Sequence, residues 1–218
     1  MMNELTVSQL KTEVKDFVGK LNVTPIPALY GVTDGKAVGT HIEQAFREYL
    51  LQRYTYILGN SASGIDFPGL GIDIKATSIR QPQSSCPFRD ASQKVYGLGY
   101  HLLVFVYEKI DRQELRAAQL SILHAVFIAR ERTADYQTTY GLRGILVRNG
   151  NKDDVVAFLE ERNLPLDEIG RSVLADRVMR EPPEIGYLTV SNALQWRLQY
   201  GRAIGVVGTI EGVEDLLA

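Results

Sequence analysis

At 218 residues and 45 % hydrophobic side chains, the chain is long enough for one domain, or one domain with an appendage, around a sizeable core. Its formal net charge of −2 lacks the basic excess that many nucleic-acid-binding domains carry. A single cysteine, Cys86, excludes an internal disulfide and suits a reducing, cytoplasmic setting; no run approaches a membrane span, no Cys/His cluster has zinc spacing, and there is no P-loop.

The first stretch, MMNELTVSQLKTEVKDFVGKL, lacks the apolar core of a signal peptide. Within it Val7, Leu10, Val14, Phe17 and Val18 recur at helical spacing, which predicts a helix over 5–20 capped by Thr6 or Ser8. Residues 22–39 hold two prolines and several Gly/Asp turn signals and read as a connector. A second helix opens at Thr40, with Ile42, Ala45, Phe46, Tyr49 and Leu50 forming one apolar stripe. Thr40-x-x-Glu43 matches a capping box, in which Glu43 would bond the Thr40 amide. Residues 54–58 read as a short strand and 59–64 as a loop.

The stretch GIDFPGLGIDIKATS, Gly64 to Ser78, organises the rest. Pro68 fixes φ and Gly69 permits a positive φ, so Phe67-Pro68-Gly69-Leu70 predicts a chain reversal between two short strands. The second arm alternates, so Asp73 and Lys75 share one face and Ile72 and Ile74 the other. A two-residue loop pairs Asp66 with Gly71 and turns it to the Asp73/Lys75 face. A four-residue loop pairs Asp66 directly with Asp73, and a three-residue loop turns it away. Cross-strand neighbours on one face lie roughly 5 Å apart. Two carboxylates that close repel each other unless one is protonated or a cation lies between them. Mg²⁺ binds through one or two carboxylates plus water and phosphate oxygens. A lysine beside it can orient or deprotonate a water, or stabilise charge developing on phosphate. The plainer alternative makes Asp73 and Lys75 a solvated strand face and Asp66 a turn residue.

Ile65-Asp66, six residues, then Asp73-Ile74-Lys75 resembles the signature of the PD-(D/E)XK nuclease superfamily, which includes many type II restriction endonucleases. Ile65 stands where the family has its name-giving Pro. The resemblance covers about ten residues in its motif and roughly 36–110 in its order of elements. It implies that Asp66 and Asp73 bind the metal and that Lys75 assists the attacking water. In many members a helix before the hairpin supplies a further acidic residue, and Glu43 is the candidate for it.

Residues 76–90 are rich in Ser, Gln and Arg, with Pro82 and Pro87 opposing regular structure. Directly after the motif strand they are placed to meet DNA, Arg80 on a phosphate and Gln81 or Gln83 on a base edge, or they form a polar surface loop. Cys86 has no histidine to activate it and reads as structural. Residues 91–100 predict a short helix, with Arg89 and Lys94 near enough to touch a DNA backbone. The apolar run His101 to Glu108 predicts a strand buried on both faces. Residues 115–132 read as a strong helix that carries His124 as a core or boundary histidine, and 144–148 as a strand closed by Asn149-Gly150. Residues 153–163 and 166–179 read as helices, the second stopped by Pro182-Pro183. Ser191 to Arg202 reads as a helix capped by Ser191 and ended by Gly201. A subset of its Asn192, Gln195, Arg197, Gln199 and Arg202 would face DNA, or Leu194, Trp196 and Leu198 would dock on a core or dimer interface.

The expected fold is α/β, a central mixed β-sheet flanked by helices with a restriction-endonuclease-like core. A single nuclease domain spans 1–218, its catalytic core about 36–150, with a C-terminal part for DNA binding or dimerisation. The resemblance implies a Mg²⁺-dependent, sequence-specific endonuclease acting on double-stranded DNA by water attack on the phosphodiester. Products would carry 5′-phosphate and 3′-hydroxyl ends. A homodimer is expected because palindromic duplex sites mirror two-fold protein symmetry. A local acidic metal site with a separate basic groove is compatible with the charge of −2. Rivals are a repair nicking or junction-resolving nuclease and a non-catalytic DNA-binding module of the same fold.

Overall fold

A computed structural model describes residues 3–59, 64–86, 89–191 and 196–218. The chain divides into two compact units, Met1–Ser84 with His101–Ile128 and Val206–Ala218, and Ser85–Tyr100 with Ala129–Gly205. Residues 36–150, where the catalytic core was expected, contribute to both.

The first unit begins with β1 (Asn3–Glu4) and α1 (Val7–Val23). Thr6 caps α1 through a full capping box: its Oγ1 accepts from the Gln9 amide, and Gln9 Oε1 accepts from the Thr6 amide. α2 (Gly35–Leu51) follows, then β2 (Tyr54–Thr55), which pairs with β1. The central sheet has the order β3-β5-β6-β9, formed by β3 (Ile72–Ser78), β5 (His101–Arg112), β6 (Ala117–Ile128) and β9 (Val213–Asp215). β3 runs parallel to β5, whereas β5–β6 and β6–β9 are antiparallel, so the sheet is mixed. β5 is the buried central strand that its apolar run predicts, Leu102 to Val106 being wholly inaccessible.

α1 and α2 pack on this sheet through an aromatic cluster. Phe46 lies 4.9 Å from Phe17 of α1 and 5.3 Å, edge-on, from Phe105 of β5. Glu13 of α1 ties α2 and β2 to it by accepting hydrogen bonds from the hydroxyls of Tyr49 (2.7 Å) and Tyr54 (2.8 Å). Because Phe46 is completely buried, Phe46→Ala should cost about 3–5 kcal/mol of stability, read as a lowered urea midpoint. A loss below 1 kcal/mol would show that the cluster is not the centre of this core.

β4 (Gln83–Cys86) leads the chain into the second unit, which holds α3 (Gln93–Tyr96), α4 (Tyr136–Val147), α5 (Lys152–Glu161) and α6 (Glu168–Arg180). Its core gathers Val95, Leu142, Val155, Leu159, Leu174 and Val178. β7 (Thr189–Val190) and β8 (Trp196–Gln199) join β4 in a second sheet of order β4-β8-β7, and α7 (Gly201–Val206) follows. Asp135, 2 % exposed, holds this unit together: one oxygen caps α4 at Thr138 and the other accepts from the Val190 amide. No helix among the described residues is long and apolar enough to cross a membrane.

Several elements differ from the sequence expectation. Within residues 115–132, Ala117–Ile128 form the long strand β6, not a helix, and Arg130–Arg132 make a short 3-10 turn after it. Ala118, Leu120 and Ile122 are buried in alternation and pair with β5, and a bulge between Ile122 and His124 throws Leu123 outward. His124 is half-buried on that strand. Residues 144–147 are the last turn of α4; Asn149, at φ 58°, then makes the expected turn with Gly150. The segment around Pro82 includes a strand, β4, although it was expected to be irregular. The predicted helix over 191–202 is replaced by β8 and α7, so Gly201 opens a helix instead of closing one. Asn192 to Gln195 lie outside the described residues. Arg197 and Gln199 alternate outward with buried Leu198 and Tyr200.

Candidate active site

The reversal before β3 is set by one antiparallel bridge. The Phe67 amide donates to the Ile72 carbonyl (2.9 Å) and the Ile72 amide to the Phe67 carbonyl (3.2 Å). Pro68 to Gly71 thus make a four-residue loop, and Asp66 falls opposite Asp73, one of the two productive registers open to the sequence. The positive φ sits on Gly71 (62°), not on Gly69. Among the described residues the first arm is this single bridge and not the strand expected.

Asp73 and Lys75 share a face of β3, and Lys75 Nζ lies 2.6 Å from Asp73 Oδ2. Asp73 is 3 % exposed. The Asp66 side chain reaches hydrogen-bonding distance of Asp73. Its Oδ2 accepts from the Ile74 amide and its Oδ1 from Arg47 Nη1, both at 2.9 Å.

Glu43 comes to the same place from α2. The helix starts at Gly35, capped by Asp34 on the Lys36 amide, so Thr40 is inside it and no capping box with Glu43 forms. This corrects the capping reading of Glu43. A Cβ at position 39 would lie 3.2 Å from the Ala76 carbonyl oxygen, so glycine there lets α2 approach β3. One turn further on, the Glu43 carboxylate comes close enough to the Ala76 amide for that dipole to favour its charged form.

The electrostatics follow from crowding acids in a dry place. Burial, helped by the charges of Asp66 and Asp73, pushes the Glu43 carboxyl up to about 7 against the pull of Lys75 and the Ala76 amide. Burial, with Asp66 beside it, pushes Asp73 up to about 6 although Lys75 opposes the rise. Burial works against the Lys75 ammonium, yet Asp73, Glu43 and Asp66 together hold it above the ordinary lysine value. The cluster therefore carries more carboxylate than its cations neutralise. Hard oxygen donors with surplus negative charge fit a divalent cation such as Mg²⁺. Among the described residues no three His, Cys, Asp or Glu side chains are already arranged as a metal cage. Arg47 and Lys75 instead stand against the oxygens of Asp66 and Asp73.

The other expected contact residues are scattered. Arg80 and Gln81 are exposed in the turn after β3, and Gln83 is half-buried at the start of β4. That turn is braced by the Thr77 hydroxyl, which lies 3.1 Å from the carbonyls of both Gln81 and Gln83 and accepts from the Gln83 amide. Lys94, expected to touch a DNA backbone, is 3 % exposed in the second unit, where burial lowers its pKa against the pull of Asp135. An amine so enclosed offers no surface to a phosphate. Cys86 is buried beside the Tyr100 hydroxyl at 3.7 Å, as a structural thiol would be. Sequence reasoning missed Arg47; its signal is its place one turn after Glu43, on the same side of α2.

A family model described as type II restriction enzyme NspV matches residues 4–215 of this chain. The type II restriction enzyme NspV of Nostoc sp. (strain ATCC 29411 / PCC 7524) is 58 % identical over 212 residues, covering 97 % of this chain and 96 % of that protein. No solved structure matches.

Proposed function

Since the chain belongs to the family of the type II restriction enzyme NspV and is thus a site-specific deoxyribonuclease, we propose that it hydrolyses phosphodiester bonds of double-stranded DNA with Mg²⁺, using Asp66, Asp73, Lys75 and Glu43. The observation that carries the reading is the opposition of Asp66 and Asp73 across the turn, with Lys75 2.6 Å from Asp73 and Glu43 against the same strand.

Asp66 and Asp73 would hold the cation, and a bound Mg²⁺ would neutralise these carboxylates and polarise a phosphate oxygen. Lys75 enters as an ammonium, because its neighbours raise its pKa. It orients the attacking water and stabilises charge building on the phosphate. Glu43, whose carboxyl titrates near 7, is poised to take the proton that the water gives up. The water oxygen bonds to phosphorus, the bond to the 3′-oxygen breaks, and that oxygen is protonated from solvent. The ends are a 5′-phosphate and a 3′-hydroxyl. Arg80, Gln81 and Gln83 are candidates for contact with the duplex. A homodimer would present two such sites to the two strands of a palindrome, and light scattering on the DNA-bound protein reads this out.

The test is digestion of mixed-sequence duplex DNA with Mg²⁺ and with EDTA. Discrete fragments in Mg²⁺ alone are expected, and end-sequencing then gives the site. No cleavage with Mg²⁺ or Mn²⁺ on any duplex would sink the reading. Glu43→Gln should lower kcat by about 10²-fold or more, with duplex affinity in Ca²⁺ unchanged. Wild-type kcat in this variant would remove Glu43 from the mechanism.

A further inference from the structure

Asp66 is the one carboxylate of the site that no helix or strand carries: Glu43 sits on α2 and Asp73 on β3, whereas Asp66 precedes a lone bridge at Phe67–Ile72. Its carbonyl accepts from the Gly59 amide of the preceding segment (3.0 Å). Contact there is so close that a Cβ at Gly59 would fall 2.0 Å from the Ile65 carbonyl oxygen. The carboxylate itself is fixed by donors from two different elements, the Ile74 amide on Oδ2 and Arg47 Nη1 on Oδ1.

Arg47 is anchored in turn. Its carbonyl accepts from the Tyr56 hydroxyl at 2.8 Å, and the Tyr56 ring lies 5.0 Å from the Phe67 ring, next to Asp66. A closed circuit thereby joins α2, Arg47, Asp66, Phe67 and Tyr56. It does for this arm what a strand ladder does for Asp73. A carboxylate offers about four lone-pair sites. Arg47 and the Ile74 amide use one on each oxygen, which leaves lone pairs on the side toward Asp73 that a cation between the two carboxylates would take.

We propose that Arg47 is a positioning residue for Asp66, holding its carboxylate opposite Asp73 in readiness for the divalent cation. The inference rests on the proposed metal-dependent function of this site. The rival role is competition, in which the guanidinium occupies Asp66 and must be displaced by the metal. The two roles predict opposite signs. Loss of a positioning group weakens metal binding, by about 10–100-fold for partners that orient metal ligands, and loss of a competitor tightens it.

The experiment follows the Mg²⁺-induced rise in melting temperature of the full chain without DNA, for the wild type, Arg47→Ala, Arg47→Gln and Arg47→Lys. The Mg²⁺ midpoint should move at least about tenfold higher in Arg47→Ala and Arg47→Gln, with partial return in Arg47→Lys. In cleavage assays the same variants should need correspondingly more Mg²⁺ but approach wild-type kcat at saturation. The pair is part-buried, Arg47 31 % and Asp66 16 % exposed, so each variant's Mg²⁺ response is read against its own metal-free melting temperature. Arg47→Gln keeps the stem and a donor and decides the matter should Arg47→Ala not fold. An unchanged or lower Mg²⁺ midpoint in Arg47→Gln overturns the positioning role. A wild type that shows no Mg²⁺ response in either assay overturns the metal-dependent reading of the site, and Arg47's role with it. Failure of the wild type and failure of the variants alone are thus separate results.

Discussion

Asp73→Asn is expected to lower duplex cleavage by about 10³-fold or more, and Lys75→Met by about 10²–10⁴-fold, the range of proton-transfer and charge-stabilising groups. The two losses should differ in kind. Asp73 is buried, with one oxygen 2.6 Å from Lys75 and a carboxyl neighbour in Asp66. Its amide keeps the volume and removes the negative charge that holds a cation, so Asp73→Asn should lose the Mg²⁺-induced rise in melting temperature along with activity. Lys75→Met keeps most of the apolar stem and removes the ammonium. Three carboxylates then face one another with one cation fewer, so this variant should retain or strengthen its response to Mg²⁺ while failing to cut. Single-turnover cleavage and a Mg²⁺ thermal titration on both proteins separate ligand from catalyst. Wild-type cleavage by either variant would show that the active site lies elsewhere in the chain.

The second large effect is on stability. The metal-free protein should become less stable as pH rises from about 5 to 8, and Mg²⁺ should stabilise it more at pH 8 than at pH 5. Asp73 and Glu43 have folded values of about 6 and about 7, above their ordinary 3.8 and 4.5. The folded state therefore binds protons more tightly than the unfolded chain does. Stability is greatest while both groups stay protonated in the fold, and it falls as pH climbs from the unfolded values through the folded ones. A shift of about two pH units corresponds to roughly 3 kcal/mol per group, and the pair together contributes less than twice that because they share Lys75. Lys75, with its raised value, changes stability only above about pH 10. Glu13, with its lowered value, acts only below about pH 4–5. Neither disturbs the window. Urea unfolding at pH 5 and pH 8, in EDTA and in Mg²⁺, measures the slope. The double variant Glu43→Gln/Asp73→Asn should flatten it. Stability in EDTA that is level or rising up to pH 8 would contradict this picture of a crowded carboxylate site.

What could be read from the chain alone was whatever short-range chemistry dictates. Thr6 with Gln9, and Asn151 with Asp154, close capping boxes within four residues, so the starts of α1 and α5 are local facts. The unbroken apolar run of β5 can only be buried on both faces. Along β3 the alternation puts Asp73 and Lys75 side by side whatever the rest of the chain does, because successive side chains on a strand must point to opposite faces.

Long-range partners decided the remainder. The segment Ala117–Ile128 holds good helix formers, Ala, Leu and Gln, and it became a strand because β5 offered eleven paired residues and a buried face. The bulge at Leu123 then broke the alternation that would have disclosed it. The short run at 144–147 carries no period of its own, and packing of Ile145 and Leu146 against the core of the second unit made it helix. The loop length that set Asp66 against Asp73 was open in the sequence and was chosen by the Phe67–Ile72 bridge. Glu43 left a plausible cap for the site because Asp34, six residues before Thr40, began the helix and Gly39 let it press on Ala76. Arg47 showed in the sequence only its place one turn after Glu43, and that position acquires a function only from what the fold sets opposite it. The chemical inventory of the site, and the strand that displays half of it, follow from local pattern alone. Which acids meet depends on the fold, because the free energy that brings Glu43 and Asp66 to β3 comes from burying α2 on the sheet and closing the turn, contacts between residues distant along the chain.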